Sequence, residues 1–360
     1  MISPSKRLSR VHRIFDPYKD RRNFVRLDRN EDPAGWEAPH FSRVMASITP
    51  ADLAAYSDST VFAAKLADWL RVPAEQLYIT AGSDAAIKNI FEAYVDRNDV
   101  VVMQNPSWRM YEVYNDVYRG KAVPVDYGRD LRFDHRQVLA QLRERVVRLV
   151  ILANPNQPTG TLMSGEQLHD IVAMANEHDT LVVVDEAYHL FTPETCIELT
   201  QRYSNLIVVR TFSKAFGLAS LRLGYCVAHP QRIKDLMLLR PVTDANGLAL
   251  KIGEYALAHM EWIHERIQAM IEGRDYLYDQ LRQRQARTFR SHANFLLVQY
   301  DSLEHAKAVI AGVQEHHYLL KGPFGFAPLE NTVRITVGPK SLMMKFWQDC
   351  GEILCSRTVR

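Results

Sequence analysis

The chain has 360 residues, longer than one ordinary domain, so a large domain with a smaller companion is expected. Its 44 Lys and Arg nearly balance 42 Asp and Glu, and the net charge of +2 leaves no long-range field to attract nucleic acid or an anionic membrane, which points to small-molecule chemistry. Hydrophobic residues at 47% and charged residues at 24% are ordinary globular values. No apolar stretch nears the ~20 residues of a membrane span. Cys196, Cys226, Cys350 and Cys355 lack a Cys-x-x-Cys spacing and read as reduced thiols of a cytoplasmic protein.

The first fifteen residues carry Lys6, Arg7, Arg10 and Arg13 without an acidic residue, and are expected to form an arm that packs on a partner subunit. After Gly82, residues 83–95 place Ile87, Ile90, Phe91, Tyr94 and Val95 on one helical face, with Ser83 or Asp84 as N-cap. Val100 to Met103 reads as a strand ending at Asn105-Pro106, and Val146 to Leu152 as another that opens into the turn-rich Asn154-Pro-Asn-Gln-Pro-Thr-Gly160. Ser164 and Gln167 resemble a capping box for a helix to about His178. Leu181 to Val184 is a continuous aliphatic run of the kind buried on both faces of a parallel sheet, and it ends in Asp185-Glu186. Leu206 to Arg210 is a further strand. These are consecutive βα units whose loops leave one edge of a mostly parallel sheet. Beyond Pro230 the texture changes to helix, about Leu248 to Arg284, then strands at Phe295 to Gln299 and Val333 to Val337. The expected division is an arm and part of a small domain over 1–39, a large domain over 40–235 and a small domain over 236–360.

Lys214, in Thr211-Phe-Ser-Lys-Ala-Phe-Gly217, falls in the loop that leaves the Leu206 strand, where reactive groups of open α/β sheets gather. A lysine amine is nucleophilic when burial or a neighbouring cation destabilises its ammonium form, and it then forms Schiff bases with carbonyls such as pyridoxal phosphate. Arg222 supplies such a cation on this reading, and with Ser213 it offers a hydroxyl and a guanidinium fork to a phosphate. Asp185, ending a buried strand, needs a partner, and a protonated pyridine nitrogen is one. Tyr188 is placed to meet the phenolic oxygen of such a cofactor, Gly82-Ser83-Asp84 is an anion site at a helix start, and Trp108 is an aromatic able to stack on a planar ring. His259 and His264 do not have the i, i+4 spacing of a helical zinc pair, and Glu315-His-His317 has no further ligand nearby, so no metal is expected.

Taken in order, these residues resemble the pyridoxal-phosphate aminotransferases of the aspartate aminotransferase fold, and most closely histidinol-phosphate aminotransferase. The resemblance spans nearly the whole chain, from Asp16-Pro-Tyr18 with Arg21-Arg22 and Arg29-Asn-Glu-Asp-Pro33, through Ala55-Tyr-Ser-Asp58, to Ala293-Asn-Phe295 and Val333-Arg-Ile-Thr-Val-Gly338. It implies an α/β aspartate-aminotransferase-like fold with a large, mostly parallel domain and a smaller α+β domain. It implies pyridoxal 5'-phosphate held by Ser83, Asp84, Ser213 and Arg222 at its phosphate, by Asp185 at the pyridine nitrogen, by Tyr188 and Gln157 at the phenolic oxygen and by Trp108 against the ring, with Lys214 as the Schiff-base lysine. Tyr56 is expected from the neighbouring subunit of a homodimer with a shared site. Arg334 is expected to bind the substrate carboxylate, with Tyr18, Asn30 and Lys321 on the substrate side.

Two positions depart from the family pattern. Gln157 stands where Asn is usual, and Leu319-Leu-Lys321-Gly322 stands where an arginine serves the distal phosphate of histidinol phosphate, so Lys321 keeps a charge without the fork. Arg109 and Lys321 still suit an anionic side chain. The expected reaction moves an amino group between an amino acid, phosphorylated or otherwise anionic, and a 2-oxo acid. The alternatives are decarboxylation of phosphothreonine or phosphoserine on the same scaffold, and a non-enzymatic regulatory binder.

Overall fold

A computed structural model describes residue 5, residues 7–8, residue 11 and residues 20–356. Seven strands form the larger sheet in the order β2-β8-β7-β6-β5-β3-β4. These are β2 (Leu77–Thr80), β3 (Val100–Asn105), β4 (Lys121–Asp126), β5 (Leu149–Ala153), β6 (Leu181–Asp185), β7 (Leu206–Thr211) and β8 (Gly224–Ala228). Only β8 runs against its neighbours. The central strands are buried along their whole length because both faces of the sheet are covered. Alternation along the pleat sends Val182, Val184, Val150 and Val208 into one core, with Leu181, Val183, Leu149 and Ile207 into the other.

Helices fill both faces. α3 (Thr60–Leu70) and α7 (Gly165–Glu177) pack on the first core, α4 (Ser83–Tyr94) and α5 (Met110–Tyr118) on the second. α1 (Ala38–Ala46) and α2 (Pro50–Ala54) precede them, and α6 (Arg136–Glu144) and α8 (Pro230–Met237) complete the set. Ser164 and Gln167 form the capping box that opens α7.

The second sheet has five strands in the order β1-β11-β12-β10-β9. β9 (Arg287–Phe289), β10 (Phe295–Gln299), β11 (Tyr318–Phe324) and β12 (Thr332–Thr336) are antiparallel, and the N-terminal β1 (Val25–Leu27) pairs parallel to β11. α11 (Leu303–Glu315) and α12 (Lys340–Leu354) cover it. α10 (Met260–Gln283) joins the two bodies, with Ile263, Ile267 and Met270 in the core of the large sheet and Leu277 and Leu281 in that of the small one.

Two expectations change. The helical run from Leu248 is two helices, α9 (Gly247–Ala258) and α10, which break at His259 where the ring stacks on Tyr255. Gly82, with φ 86°, is the N-cap of α4, and Ser83 and Asp84 lie in its first turn. Of the strands beyond the expected set, β4 contains Pro124 at a sheet edge and β11 is interrupted by Lys321-Gly-Pro323, whereas β2 and β8 are short, fully buried runs. Among the described residues no helix is long and apolar enough to cross a membrane, and no group of side chains could hold a metal ion.

Glu186, the residue after β6, is fully buried and ties the ends of β6 and β7 together. It accepts from Arg210 Nη2 at 2.7 Å and Nε at 2.9 Å, and from the Cys196 amide at 2.7 Å. A Glu186→Ala substitution strands the Arg210 guanidinium in the interior. It is expected to lower the unfolding free energy by about 3–5 kcal/mol in urea denaturation.

Candidate active site

Strand directions bring five chain segments to one edge of the large sheet. β2 turns through Gly82 into α4, β3 leads to Trp108, β5 to Gln157, β6 stops at Asp185 and β7 runs into Ser213-Lys214. Ser83, Asp84, Trp108, Gln157, Asp185, Tyr188, Ser213, Lys214 and Arg222 all line a single cavity of about 680 Å³, its open mouth included. Tyr111, Ala187 and Thr211 line it too, and composition and spacing had not singled them out. Nothing local marks them: their place depends on which strands are neighbours.

Asp185 lies deep in the cavity. Its Oδ2 accepts from the Tyr111 hydroxyl at 2.7 Å and its Oδ1 from the Ala187 amide at 3.0 Å. Burial pushes its pKa up to about 6, an effect that Tyr111 and Ala187 oppose and that Glu186 and Asp84 reinforce. Two hydrogen bonds leave acceptor capacity on a carboxylate at the end of a hydrophobic strand. A cationic ligand atom would relieve that burial.

Lys214 sits on a loop held from behind by Phe212 and Phe216, whose rings stack at 4.2 Å. The turn closes through Gly217, whose amide donates to the Lys214 carbonyl at 3.0 Å and whose φ of 69° suits glycine. Lys214 Nζ donates to the Arg29 carbonyl at 3.1 Å. Burial lowers its pKa to about 8, helped by the Arg334 and Arg222 charges and opposed by Glu31 and Asp185. Arg334 is a stronger influence here than Arg222, the cation expected from sequence.

Part of the cavity wall has the chemistry to hold an anion. No side chain caps the first turn of α4, so its amides stay available beside Ser213 and Arg222, whose Nη1 donates to the Ser213 hydroxyl at 3.4 Å. Gly82 and Gly224 make the cradle possible. A Cβ on Gly82 would lie 2.8 Å from Arg222 Nη2, and one on Gly224 would lie 2.5 Å from the Ser83 amide nitrogen. The Tyr114 hydroxyl donates to Asp84.

Residues 28–32 bond both to the large-sheet residues Tyr188 and Lys214 and to Arg334 of the small sheet. Arg334 on β12 donates to the Asp28 carbonyl at 2.9 Å, stands over the Phe295 ring, and leaves its buried Nε without a hydrogen-bond partner. Burial pushes its pKa below the usual guanidinium value, with Tyr188 and Asp28 opposing. Asn30 is buried and donates to the Tyr188 hydroxyl at 2.7 Å, while its backbone amide donates to the Thr336 hydroxyl at 2.9 Å. Burial raises the Tyr188 pKa to about 12, so the phenol keeps its proton. Lys321 on β11 lies directly opposite Arg334 in the strand register, which sets both side chains on one face of the sheet. Arg109 pairs with Glu112 at 2.6 Å on the outside of α5. Of the expected residues, Asn30, Lys321 and Arg334 stand outside the lining of this cavity, as does Tyr56, which is 92% exposed, and Tyr18 lies outside the described residues.

Comparison with known proteins is consistent across sequence and structure. The profile of the family described as "Aminotransferase class I and II" matches residues 46–347. The chain is 32% identical over 332 residues to histidinol-phosphate aminotransferase 1 of Carboxydothermus hydrogenoformans, covering 92% of this chain and 93% of that one. It is also 32% identical to the histidinol-phosphate aminotransferase of Thermoanaerobacter sp., covering 91% and 90%. Its fold matches the histidinol-phosphate aminotransferase of Sinorhizobium meliloti in complex with pyridoxal-5'-phosphate, with a TM-score of 0.84, 24% identity and coverage of 92% and 91%.

A lysine with a lowered pKa is half neutral near pH 8, where ordinary lysines stay protonated. Reductive trapping of a small aldehyde, read at the Lys214 peptide by mass spectrometry, is expected to have its midpoint there. Arg334→Gln removes a neighbouring cation and is expected to move that midpoint upward.

Proposed function

The chain belongs to the aminotransferase class I and II family and is a pyridoxal-phosphate-dependent transferase, and from that premise we propose that it takes an anionic amino donor of the histidinol-phosphate kind and passes the amino group to a 2-oxo acid. The observation that carries this reading is the convergence of Lys214, Asp185 and the Ser83–Ser213–Arg222 cradle on one cavity. The residues fit pyridoxal phosphate on their own chemistry. A buried carboxylate with acceptor capacity suits a protonated ring nitrogen, and uncapped helix amides beside Arg222 suit a phosphate. A lysine with a lowered pKa between them suits an aldehyde.

When bound, the cofactor supplies an aldehyde that joins amines and a cationic ring that delocalises the electron pair released at a substrate Cα. Asp185 would keep the ring nitrogen protonated. The amides at Ser83 and Asp84, with Ser213 and Arg222, would hold the phosphate, Tyr188 and Gln157 would serve the phenolic oxygen, and Trp108 would support the ring. Lys214 would hold the aldehyde in the resting protein, and with a substrate amine bound its Nζ would be the group that moves a proton from the substrate Cα. Arg334 forks onto the α-carboxylate, with its partnerless Nε as a donor in waiting. Fixing that carboxylate would favour loss of the Cα proton over loss of carbon dioxide, and so transfer over decarboxylation. Asn30 positions the Tyr188 phenol. Lys321, beside Arg334, supports an acidic or phosphorylated side chain.

A homodimer completes the site on this reading. Tyr56 stands exposed with Leu53 and Val61, and Ser57 bonds to Ala245 close to the exposed Val242, an apolar surface that a second copy would cover. Tyr56 of that copy would then reach the phosphate. The four free thiols support a reducing compartment, the cytoplasm.

A panel of amino donors that includes histidinol phosphate, with 2-oxo acid acceptors, is expected to give loss of the cofactor's absorbance and an aminated acceptor. Carbon dioxide released without amino transfer defeats the reading. Lys214→Ala is expected to retain cofactor non-covalently while turnover falls by about 10²–10⁴-fold or more. Lys321→Gln is expected to raise KM for phosphorylated donors about tenfold relative to neutral ones.

A further inference from the structure

Tyr111, the second residue of α5, is almost wholly buried and uses its hydroxyl on the Asp185 carboxylate at 2.7 Å. Its ring also meets Trp108 edge-on, with centroids 5.5 Å apart and planes at 79°. We propose that Tyr111 is a positioning residue: its phenol aims the Asp185 carboxylate into the cavity as an anion, and its ring sets Trp108, so that one side chain arranges both the charge at a bound pyridine nitrogen and the wall against the ring face. This rests on the pyridoxal phosphate reading above.

The geometry permits little else. Asp185 Oδ1 is held by the Ala187 amide at 3.0 Å, and the phenol is the donor to Oδ2, so together they lock the carboxylate plane. Burial and the neighbouring carboxylate push the Tyr111 pKa well above its ordinary value, which makes the phenol a donor at every working pH. Several other titratable groups bear on Asp185. They are Asp84 at the start of α4, Glu186 and Tyr188 after β6, Lys214 after β7 and Cys226 on β8. Glu186 is neutralised by Arg210, and Asp84 accepts from Tyr114. Within this group Tyr111 is the side chain that hydrogen-bonds Asp185 and so selects its charged form.

Tyr111→Phe keeps the ring and removes only the donor. In the cofactor-free protein, the infrared carbonyl band of protonated Asp185, assigned by its loss in Asp185→Asn, is expected to titrate about one pH unit higher or more in the variant, since a hydrogen bond to a charged acceptor is worth about tenfold or more. Pyridoxal phosphate is expected to bind about two- to tenfold more weakly, from the freed carboxylate. That loss is expected to vanish in the Asp185→Asn background, whereas a merely structural role would persist there. An unmoved infrared midpoint, or an equal loss of affinity in both backgrounds, overturns the proposal. A wild-type protein that binds no pyridoxal phosphate sinks the cofactor reading and this proposal together; normal wild-type binding with an unmoved midpoint sinks the proposal alone.

Discussion

Desolvation of opposite charges around one cavity is the constraint that organises this molecule. Asp185 is pushed toward its neutral acid, and Lys214 and Arg334 toward their neutral bases, because each has left water without a full complement of partners. Such an arrangement costs folding stability when empty and is relieved by a ligand carrying the matching charges. Pyridoxal phosphate and an amino-acid carboxylate match them closely: a ring cation for Asp185, an aldehyde for the lysine and carboxylate oxygens for the arginine.

The fold supplies the stiffness this arrangement needs. Asp185 and Lys214 stand at the ends of adjacent buried parallel strands, β6 and β7, and the Glu186–Arg210 pair crosses between the same two strands. Backbone hydrogen bonds therefore set the spacing of acid and amine, and side-chain packing only refines it. Arg334 comes from the other sheet. Its position relative to Lys214 depends on residues 28–32, which bond to Arg334, Lys214, Tyr188 and Thr336 in the space of three residues. Arg266 on α10 fastens the same stretch through Asp32 and also pairs with Glu37 just beyond it. The two sheets thus meet through a short segment, several of whose polar contacts are made to residues of the site.

Much of this was legible without coordinates because the signals are local. A run such as Leu181 to Val184 has one comfortable environment, a strand covered on both faces, and the polar residue that ends it must then lie at the sheet edge. Ser164 and Gln167 announce a helix start through contacts within one turn. The Ser213-Lys214 pair and Arg222 are close in the chain, so their joint use on one anion could be anticipated. Signals failed where neighbours come from afar. The α4 cap was assigned to Ser83 or Asp84 because both are good capping residues, yet Gly82 takes the position, since Arg222 and β8 crowd that turn too closely for a side chain. β1 is only three residues long and β11 is interrupted by Lys321-Gly-Pro323, and they exist as strands because they pair with each other and, for β11, with β12.

What the chain's own order of residues determined is therefore most of the central buried strands, the capping box of α7 and the chemical types delivered to one sheet edge, because period, capping and burial act over a few residues. Tertiary structure alone decided that Tyr111 reaches Asp185 across 74 positions of sequence, that Arg334 outweighs Arg222 in lowering the lysine, and that Asn30 meets Tyr188. Hydrogen bonds and Coulomb terms depend on distance in space, and no local pattern encodes a distance between residues brought together by separate strands.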